Sequence, residues 1–383
     1  MHASRRQQRA SRMSARRRRR LTTTIVTAIL LVVAVVAAVV IVRTAAGSNA
    51  IAAADPTTQP AENPAPTPLS PAEALLATTQ DPNACVVSFT GDGITDAPAL
   101  QTQGTLYADL PIPARDGAVF AGWYTSAADA QSFTIANRIN GADAVACTDR
   151  QTTLHAAWKT PAEVSADNVG VPILMYHQFT TNPAGEDNSL KLNYIYTGDF
   201  DAQMAYLADQ KFYLPTWPEL SAFIDGKLWV PHKSAIITDD DADATWLKLG
   251  VPIIDKYKLL TTSFVITKWR TEPSPSPWVL QRSHTNDMHE AGDNGKGRMV
   301  NWTADQIAAD METSAQILGA KEVMAYPFGH YNDTAKQGLR QAGFEMARTI
   351  DPGYVHAGAD KLALPCVRIN YGTTLQEFIN DVG

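Results

Sequence analysis

The stretch KSAIITDDDADA concentrates acidic chemistry at one point: an apolar run from Ala235 to Ile237 leads into Thr238, Asp239, Asp240 and Asp241. Adjacent carboxylates at a strand end repel one another, and a bound cation relieves that repulsion. A second stretch, RSHTNDMHE, sets His284 and His289 five positions apart. On a helix that spacing would turn the two imidazoles about 140° from each other, so as joint ligands they need a loop. It is also not the helical HExxH pattern of metallopeptidases. One carboxylate with two neutral imidazoles is a zinc-type donor set that leaves a position open for water or substrate. Taken singly, DDD also reads as a solvated acidic turn and the histidines as solvated side chains. Together, and with AYPFGHYND further on, they point to a metal site.

Groups of this kind are carried at the carboxyl ends of strands in parallel α/β folds. From about Val169 onward the chain supplies such strands: VPILMYHQF, KSAIITDDD, TTSFVITKW, KEVMAYPFG and EMARTID are apolar runs. They alternate with helix-spaced stretches, FDAQMAYLADQ, TWLKLGVPIIDKY, TADQIAADMETSAQILGA and DTAKQGLRQAGF. Alternation argues a parallel sheet, either open or closed into a barrel.

The rest of the 383 residues is organised differently. Residues 1–20 hold nine arginines and no acid, although the chain's formal charge is -7, so a basic tail is joined to an acidic body. An arginine block alone suits nucleic acid, but here 22 uncharged residues follow, from Leu21 to Val42. About 20 apolar residues span a bilayer, and arginines mark the cytoplasmic flank. The expectation is a cytoplasmic tail over 1–20, a transmembrane anchor over 21–43, an extracellular remainder at the cell membrane, and no nucleic-acid partner. A cleaved signal peptide is the competing reading, with small residues from Ala45 to Ala54 to cut at. Residues 44–80 are rich in Pro, Ala and Thr and read as a disordered linker. Residues 81–160 show short strands broken by Gly, Asp and Pro, a small β-rich module. The three cysteines cannot build a Cys-rich zinc module; on the oxidising side of a membrane Cys85 and Cys147 are the pair expected to bridge.

Two resemblances sharpen these readings. CVVSFTGDG, RDGAVFAGWYTS and TLHAAWK resemble the internalin-type B-repeats of bacterial surface proteins, small β-grasp-like modules. That resemblance implies a spacer or adhesion role, with Trp123 and Trp158 in the core. The stretch from Val171 to Phe378 is similar to the polysaccharide deacetylase family that shares the NodB homology domain. VPILMYHQF resembles its opening strand, AIITDDDAD its TFDDG motif, HTNDMH its metal histidines, and MAYPFGHYND its aromatic segment. The expected fold is therefore α/β: a distorted (β/α) barrel of the NodB homology type over 165–383, preceded by a small β-grasp-like module and an N-terminal transmembrane helix.

Carried over by position, the resemblance implies Asp241, His284 and His289 as ligands of a divalent metal, zinc by preference. It implies Asp240 as base and the Phe328 backbone N–H as an oxyanion donor. Four residues between the histidines, where most members have three, resemble the deacetylases of poly-N-acetylglucosamine. The implied activity is removal of N-acetyl groups from an N-acetylglucosamine polymer of the cell envelope, peptidoglycan or exopolysaccharide. A non-catalytic carbohydrate-binding adhesin and an acetylxylan-type esterase are the alternatives. Departures from the family are specific. Asp239 stands where Phe is usual and Ala242 where Gly is usual, which leaves Asp239 or Asp240 as the base. Ala325 stands where many members have an arginine that contacts the base, and no Leu-x-His motif supplies the general acid. His330, His356 or a water are left for that task, Arg368 is expected to support the site, and the loop Glu290 to Met299 reads as either a mobile lip or an idle insertion.

Overall fold

The computed structural model describes residues 68–274 and 276–383. The expected tail 1–20, span 21–43 and most of the 44–80 linker lie outside the described residues. Among the described residues no helix is long and apolar enough to cross a membrane. The linker expectation is corrected at its end, where Pro71–Leu76 is a helix. Its cause is local: Ser70 caps the Glu73 N–H, Glu73 reaches back to the Ser70 N–H, and Pro71 takes the first position. A composition rich in Pro and Ala hides such a start signal.

The small module is one five-stranded sheet. It comprises β1 (Ala84–Thr90), β2 (Ala99–Thr102), β3 (Val119–Tyr124), β4 (Arg138–Ile139) and β5 (Gln151–Lys159), in the order β2-β1-β5-β3-β4. Only the β1–β5 pair is parallel. Cys85 and Cys147 are bridged across 62 positions. Trp123 is buried, with Phe89 and Phe120 rings 4.9 and 5.1 Å away, so it is core as expected; Trp158, 5.5 Å from Phe120, is only partly buried.

The second region holds β6 (Ile173–Tyr176), β7 (Gln178–Thr180), β8 (Tyr194–Tyr196), β9 (Ile236–Asp240), β10 (Thr261–Val265), β11 (Val279–Ser283), β12 (Val323–Ala325), β13 (Met346–Pro352) and β14 (Leu364–Arg368). β7 and β8 pair with each other. The other seven, all parallel, close into a barrel in the order β10-β11-β12-β13-β14-β6-β9. The barrel, rather than the open sheet, is the outcome. Helices Thr197–Asp209, Val251–Tyr257, Ala304–Leu318 and Asp333–Ala342 fall where the periodicity puts them. β11 and β14 escape an apolar-run reading because VLQRS is polar at its centre and LPCVR begins on Leu-Pro and ends in charge.

The module is joined to the barrel by packing as well as by chain. One buried apolar cluster contains barrel-lining residues such as Ile173, Ile236, Phe264 and Val323, the helix Trp217–Ile224, and the module's Val87, Phe120 and Trp123. At its edge the Arg138 guanidinium lies 4.2 Å over the Tyr213 ring and donates to the Trp229 carbonyl at 2.9 Å. Asn140 donates to the Leu214 carbonyl, and the Phe120 and Trp229 backbones exchange hydrogen bonds with 227–229 and 120 across the seam. Burying a polar group without a partner is unfavourable; Arg138 Nη2 and Asn140 find theirs across the seam, while Arg138 Nε and Nη1 lack hydrogen-bond partners among the described residues and lie against the Tyr213 and Trp229 rings.

Candidate active site at the barrel mouth

Every expected site residue sits at the carboxyl end of a barrel strand. Asp240 ends β9 and Asp241 follows it; His284 follows β11; Phe328 lies just past β12. The alternation of β9 separates the three aspartates. Asp239 turns away from the histidines: its carboxyl is buried, accepts from the Ser263 hydroxyl at 3.1 Å, and is pushed well above the usual range by burial and by Asp240 and Asp243. Asp240 turns inward, toward His177 and Arg348.

Asp240 is also buried. Burial alone would raise its pKa, but the Arg348 guanidinium, then His177 and His284, outweigh that and hold it below the usual carboxylate range. Arg348 is fully buried and bonds Asp240 directly. Its place explains the missing arginine: Arg348 on β13 is the cross-strand partner of Ala325 on β12. The guanidinium comes from the neighbouring strand at the same level.

Asp241, His284 and His289 converge, their candidate donor atoms all within 4.8 Å of one another. Asp241 Oδ1 is 3.4 Å from His284 Nε2 and 3.2 Å from His289 Nε2. Burial opposes ionisation of Asp241, but the two imidazoles hold it far below the usual range. His284 Nδ1 donates to the Ala325 carbonyl at 2.9 Å. In the neutral imidazole this leaves Nε2 as an acceptor facing a carboxylate oxygen, an arrangement that needs a cation between them. Asp241 Oδ1 is buried and lacks a hydrogen-bond partner among the described residues. The donor set and these orphaned acceptors fit a divalent metal.

The backbone is bent to present these groups. Asp241, Ala242, Thr285 and Phe328 all have positive φ, at 73°, 50°, 73° and 58°. Such conformations are unfavourable for residues with a Cβ, and four of the eleven non-glycine cases among the described residues fall here. The Asp243 carboxylate secures the first turn by accepting from the Thr245 and Trp246 N–H groups. The His289 loop is fastened from below by Asp310 of the helix Ala304–Leu318, which accepts from the Asn286 and Asp287 N–H groups, both at 2.8 Å. Arg298 ties the loop onward to the Asp287 carbonyl and carboxylate. The segment Glu290 to Met299 is thus tied to the His289 loop through Arg298.

Of the histidines left as proton donors, neither lines the cavity. His330 Nδ1 accepts from the Gly297 N–H at 3.0 Å, and His356 Nδ1 meets the Val169 carbonyl at 3.0 Å. The imidazole beside Asp240 is instead His177, just past β6, with Nε2 3.7 Å from Asp240 Oδ2. Burial lowers its pKa, against the opposing pull of Asp240 and Asp241. Sequence reading took VPILMYHQF as a strand only; a histidine at the carboxyl end of that strand was the available signal. Arg368 lines the same cavity and is held by Asn370 and Asn193, at 3.0 and 2.7 Å. The Phe328 ring, 41% exposed, lies 4.3 Å from that of His289.

Residues 229–347 match the family model described as polysaccharide deacetylase. Over 223 residues the chain is 25% identical to YxkH of Bacillus subtilis (strain 168), whose name places it provisionally among the polysaccharide deacetylases; the match covers 54% of this chain and 74% of that protein. Over 162 residues it is 25% identical to the poly-beta-1,6-N-acetyl-D-glucosamine N-deacetylase of Staphylococcus aureus (strain MRSA252), covering 37% of this chain and 56% of that protein. The chain thus spans little more than half the length of the staphylococcal relative. Among solved structures, a Streptococcus pyogenes deacetylase, PplD in complex with acetate, matches with a TM-score of 0.48 at 23% identity, covering 56% of this chain and 99% of that one. The match over residues 229–347 and these relatives support an enzyme of the deacetylase class.

Proposed function

We propose that this protein is a metal-dependent hydrolase that removes N-acetyl groups from an N-acetylglucosamine-containing polysaccharide of the cell envelope. The observation that carries the reading is the pair of facing acceptors, His284 Nε2 and Asp241 Oδ1, beside a buried Asp240 kept ionised by Arg348. A divalent metal held by Asp241, His284 and His289, with zinc the choice that the N/O donor set favours, would polarise the amide carbonyl and lower the pKa of attacking water.

The protein's own groups do the rest. Asp240, held ionised and oriented by Arg348, accepts a proton from the attacking water. His177, whose Nε2 lies 3.7 Å from Asp240 Oδ2, relays the proton that Asp240 has taken from water to the departing amine as the C–N bond breaks, so acetate and a free amino sugar result. The Phe328 backbone N–H is assigned to the developing oxyanion. The missing Leu-x-His motif, which favoured a non-catalytic adhesin, loses its force with His177 in place.

We assign residues 21–43 to a single membrane-spanning anchor with the folded part outside the cell, which would confine the enzyme to envelope polymers. We assign residues 81–160 to an internalin-type B-repeat module without catalytic residues of its own. The staphylococcal relative's name supports a poly-N-acetylglucosamine substrate. Acetate release from β-linked N-acetylglucosamine oligomers, measured against acetylated xylan, tests the substrate class. Release from the oligomers is expected; release from xylan alone would replace this reading with an esterase.

A further inference from the structure

The loop between the two histidines lies outside any helix or strand, so its backbone donors need other partners. The N–H groups of Thr285, Asn286, Asp287 and Met288 each find one side-chain acceptor. Two acceptors are local: Ser283 Oγ takes the Thr285 N–H at 3.0 Å and Thr285 Oγ1 the Met288 N–H at 3.1 Å. The middle two donors go to one residue beyond the loop, Asp310, whose Oδ1 accepts from Asn286 and Oδ2 from Asp287, both at 2.8 Å. A carboxylate with both oxygens on adjacent N–H groups fixes the direction of the peptide between them.

Asp310 is only 7% exposed, and among the described residues no cation pairs with it. A buried carboxylate in that position depends on its hydrogen bonds, so the loop and Asp310 hold each other. Asp310 lies on the helix Ala304–Leu318 one turn before Ser314, whose Oγ is 2.7 Å from Ser283 Oγ. Residues four apart share a helix face, so one face of this helix meets both the end of β11 and the loop after it. Met288, fully buried, packs into the apolar cluster that holds Ile307 and Met311 of the same helix.

The two histidines differ in what else holds them. His284 directly follows β11, and its Nδ1 bonds the Ala325 carbonyl of β12, so the barrel itself orients that ring. For His289 no hydrogen bond fixes Nδ1 among the described residues, and its Nε2 stands 3.2 Å from Asp241 Oδ1. Where His289 sits therefore depends on the course of the loop.

We propose that Asp310 is a positioning residue for the metal site: by holding the Asn286–Asp287 peptide it keeps His289 in reach of an ion shared with Asp241 and His284. The inference rests on the metal-dependent reading and adds to it a residue that touches neither metal nor substrate. Outer groups that orient metal ligands change affinity about 10- to 100-fold when removed.

The test uses the full chain and its Asp310→Ala, Asp310→Asn and His289→Ala variants. Zinc affinity is read by competition with a chromophoric chelator, and backbone mobility by hydrogen exchange with mass spectrometry. Asp310→Ala should weaken zinc binding about 10- to 100-fold and speed exchange over residues 285–289, with the barrel strands exchanging as in the native protein. Asp310→Asn keeps one acceptor oxygen and should fall between; it carries the test if the alanine variant does not fold. Faster exchange throughout the barrel would show a general loosening and overturn the proposal. Native zinc affinity in Asp310→Ala, beside a loss in His289→Ala, would overturn this inference alone. A native chain that binds no zinc, or a His289→Ala variant that binds it as tightly as the native chain, would instead overturn the metal reading and this inference with it.

Discussion

The two ends of the barrel differ in what they leave unpaired. At the carboxyl end, Asp241, Ala242, Thr285 and Phe328 carry positive φ, carboxylates are buried, and Asp241 Oδ1 and Gln178 Oε1 lack partners. At the amino end, the barrel interior continues into the helix Trp217–Ile224 and the module's Phe120 and Trp123, and the unpaired groups there are donors, Arg138 Nε and Nη1, not acceptors. The contrast teaches that the seam buries apolar surface around a partly paired cation, while the mouth holds unpaired acceptors that a bound cation or ligand would satisfy.

The sharpest way to break that contrast is at the mouth. Asp240→Asn keeps shape and removes the proton acceptor, so kcat should fall about 10²- to 10⁴-fold with metal retained. A rate within a few fold of the native protein would remove Asp240 from the chemistry. Arg348→Met comes next, because it leaves the Asp240 charge buried without its partner. Losing one member of a buried pair costs about 3–5 kcal/mol, readable by urea denaturation. The double variant Arg348→Met/Asp240→Asn should recover much of that loss; no recovery would mean that Arg348 acts through packing alone.

How far the sequence anticipates the site depends on whether partners are close in the chain. DDD and HTNDMH are local, so the three candidate ligands, which the fold brings together, and the carboxylate beside them were legible together. Arg348 was not, because its relation to Asp240 exists only through the register that sets it opposite Ala325. His177 was hidden inside an apolar run. Asp310 was invisible for a similar reason, since its helix lies beyond the loop it fastens. Alternation of strands and helices announced an α/β fold but could not say that the sheet closes. The seam was least legible of all: Arg138 meets Trp229 and Asn140 meets Leu214 across long stretches of chain, and no periodicity marks such pairs.

At the other end, two milder perturbations sharpen the comparison. Removing the Cys85–Cys147 bridge by the double change to alanine opens a loop of 62 positions, worth about 4 kcal/mol in the chain-entropy picture. Since the module and barrel share one apolar cluster, deacetylase activity should be lost at the same lowered temperature as module structure. Activity that melts at its native temperature would separate the two regions. The smallest effect concerns Asp143, which burial, then Glu219, push up to about 6 against the Asn140 N–H that lowers it. Its pKa is raised on folding, so the native state binds the extra proton; that stabilisation is full below about pH 4 and is lost as pH rises through about 6. Asp143→Asn should flatten this decline, by at most about 3 kcal/mol. An unchanged melting profile between pH 4 and 7 would show that the carboxyl is better solvated than its setting implies.

The most direct measurement is the metal content of the purified native protein and of Asp241→Ala, by elemental mass spectrometry after dialysis. Asp241, His284 and His289 together predict about one divalent ion per chain, zinc foremost, and its loss in Asp241→Ala while melting of the folded chain persists. A native protein free of divalent metal, or an occupancy indifferent to Asp241, would contradict the assignment of the barrel mouth as a metal-dependent active site.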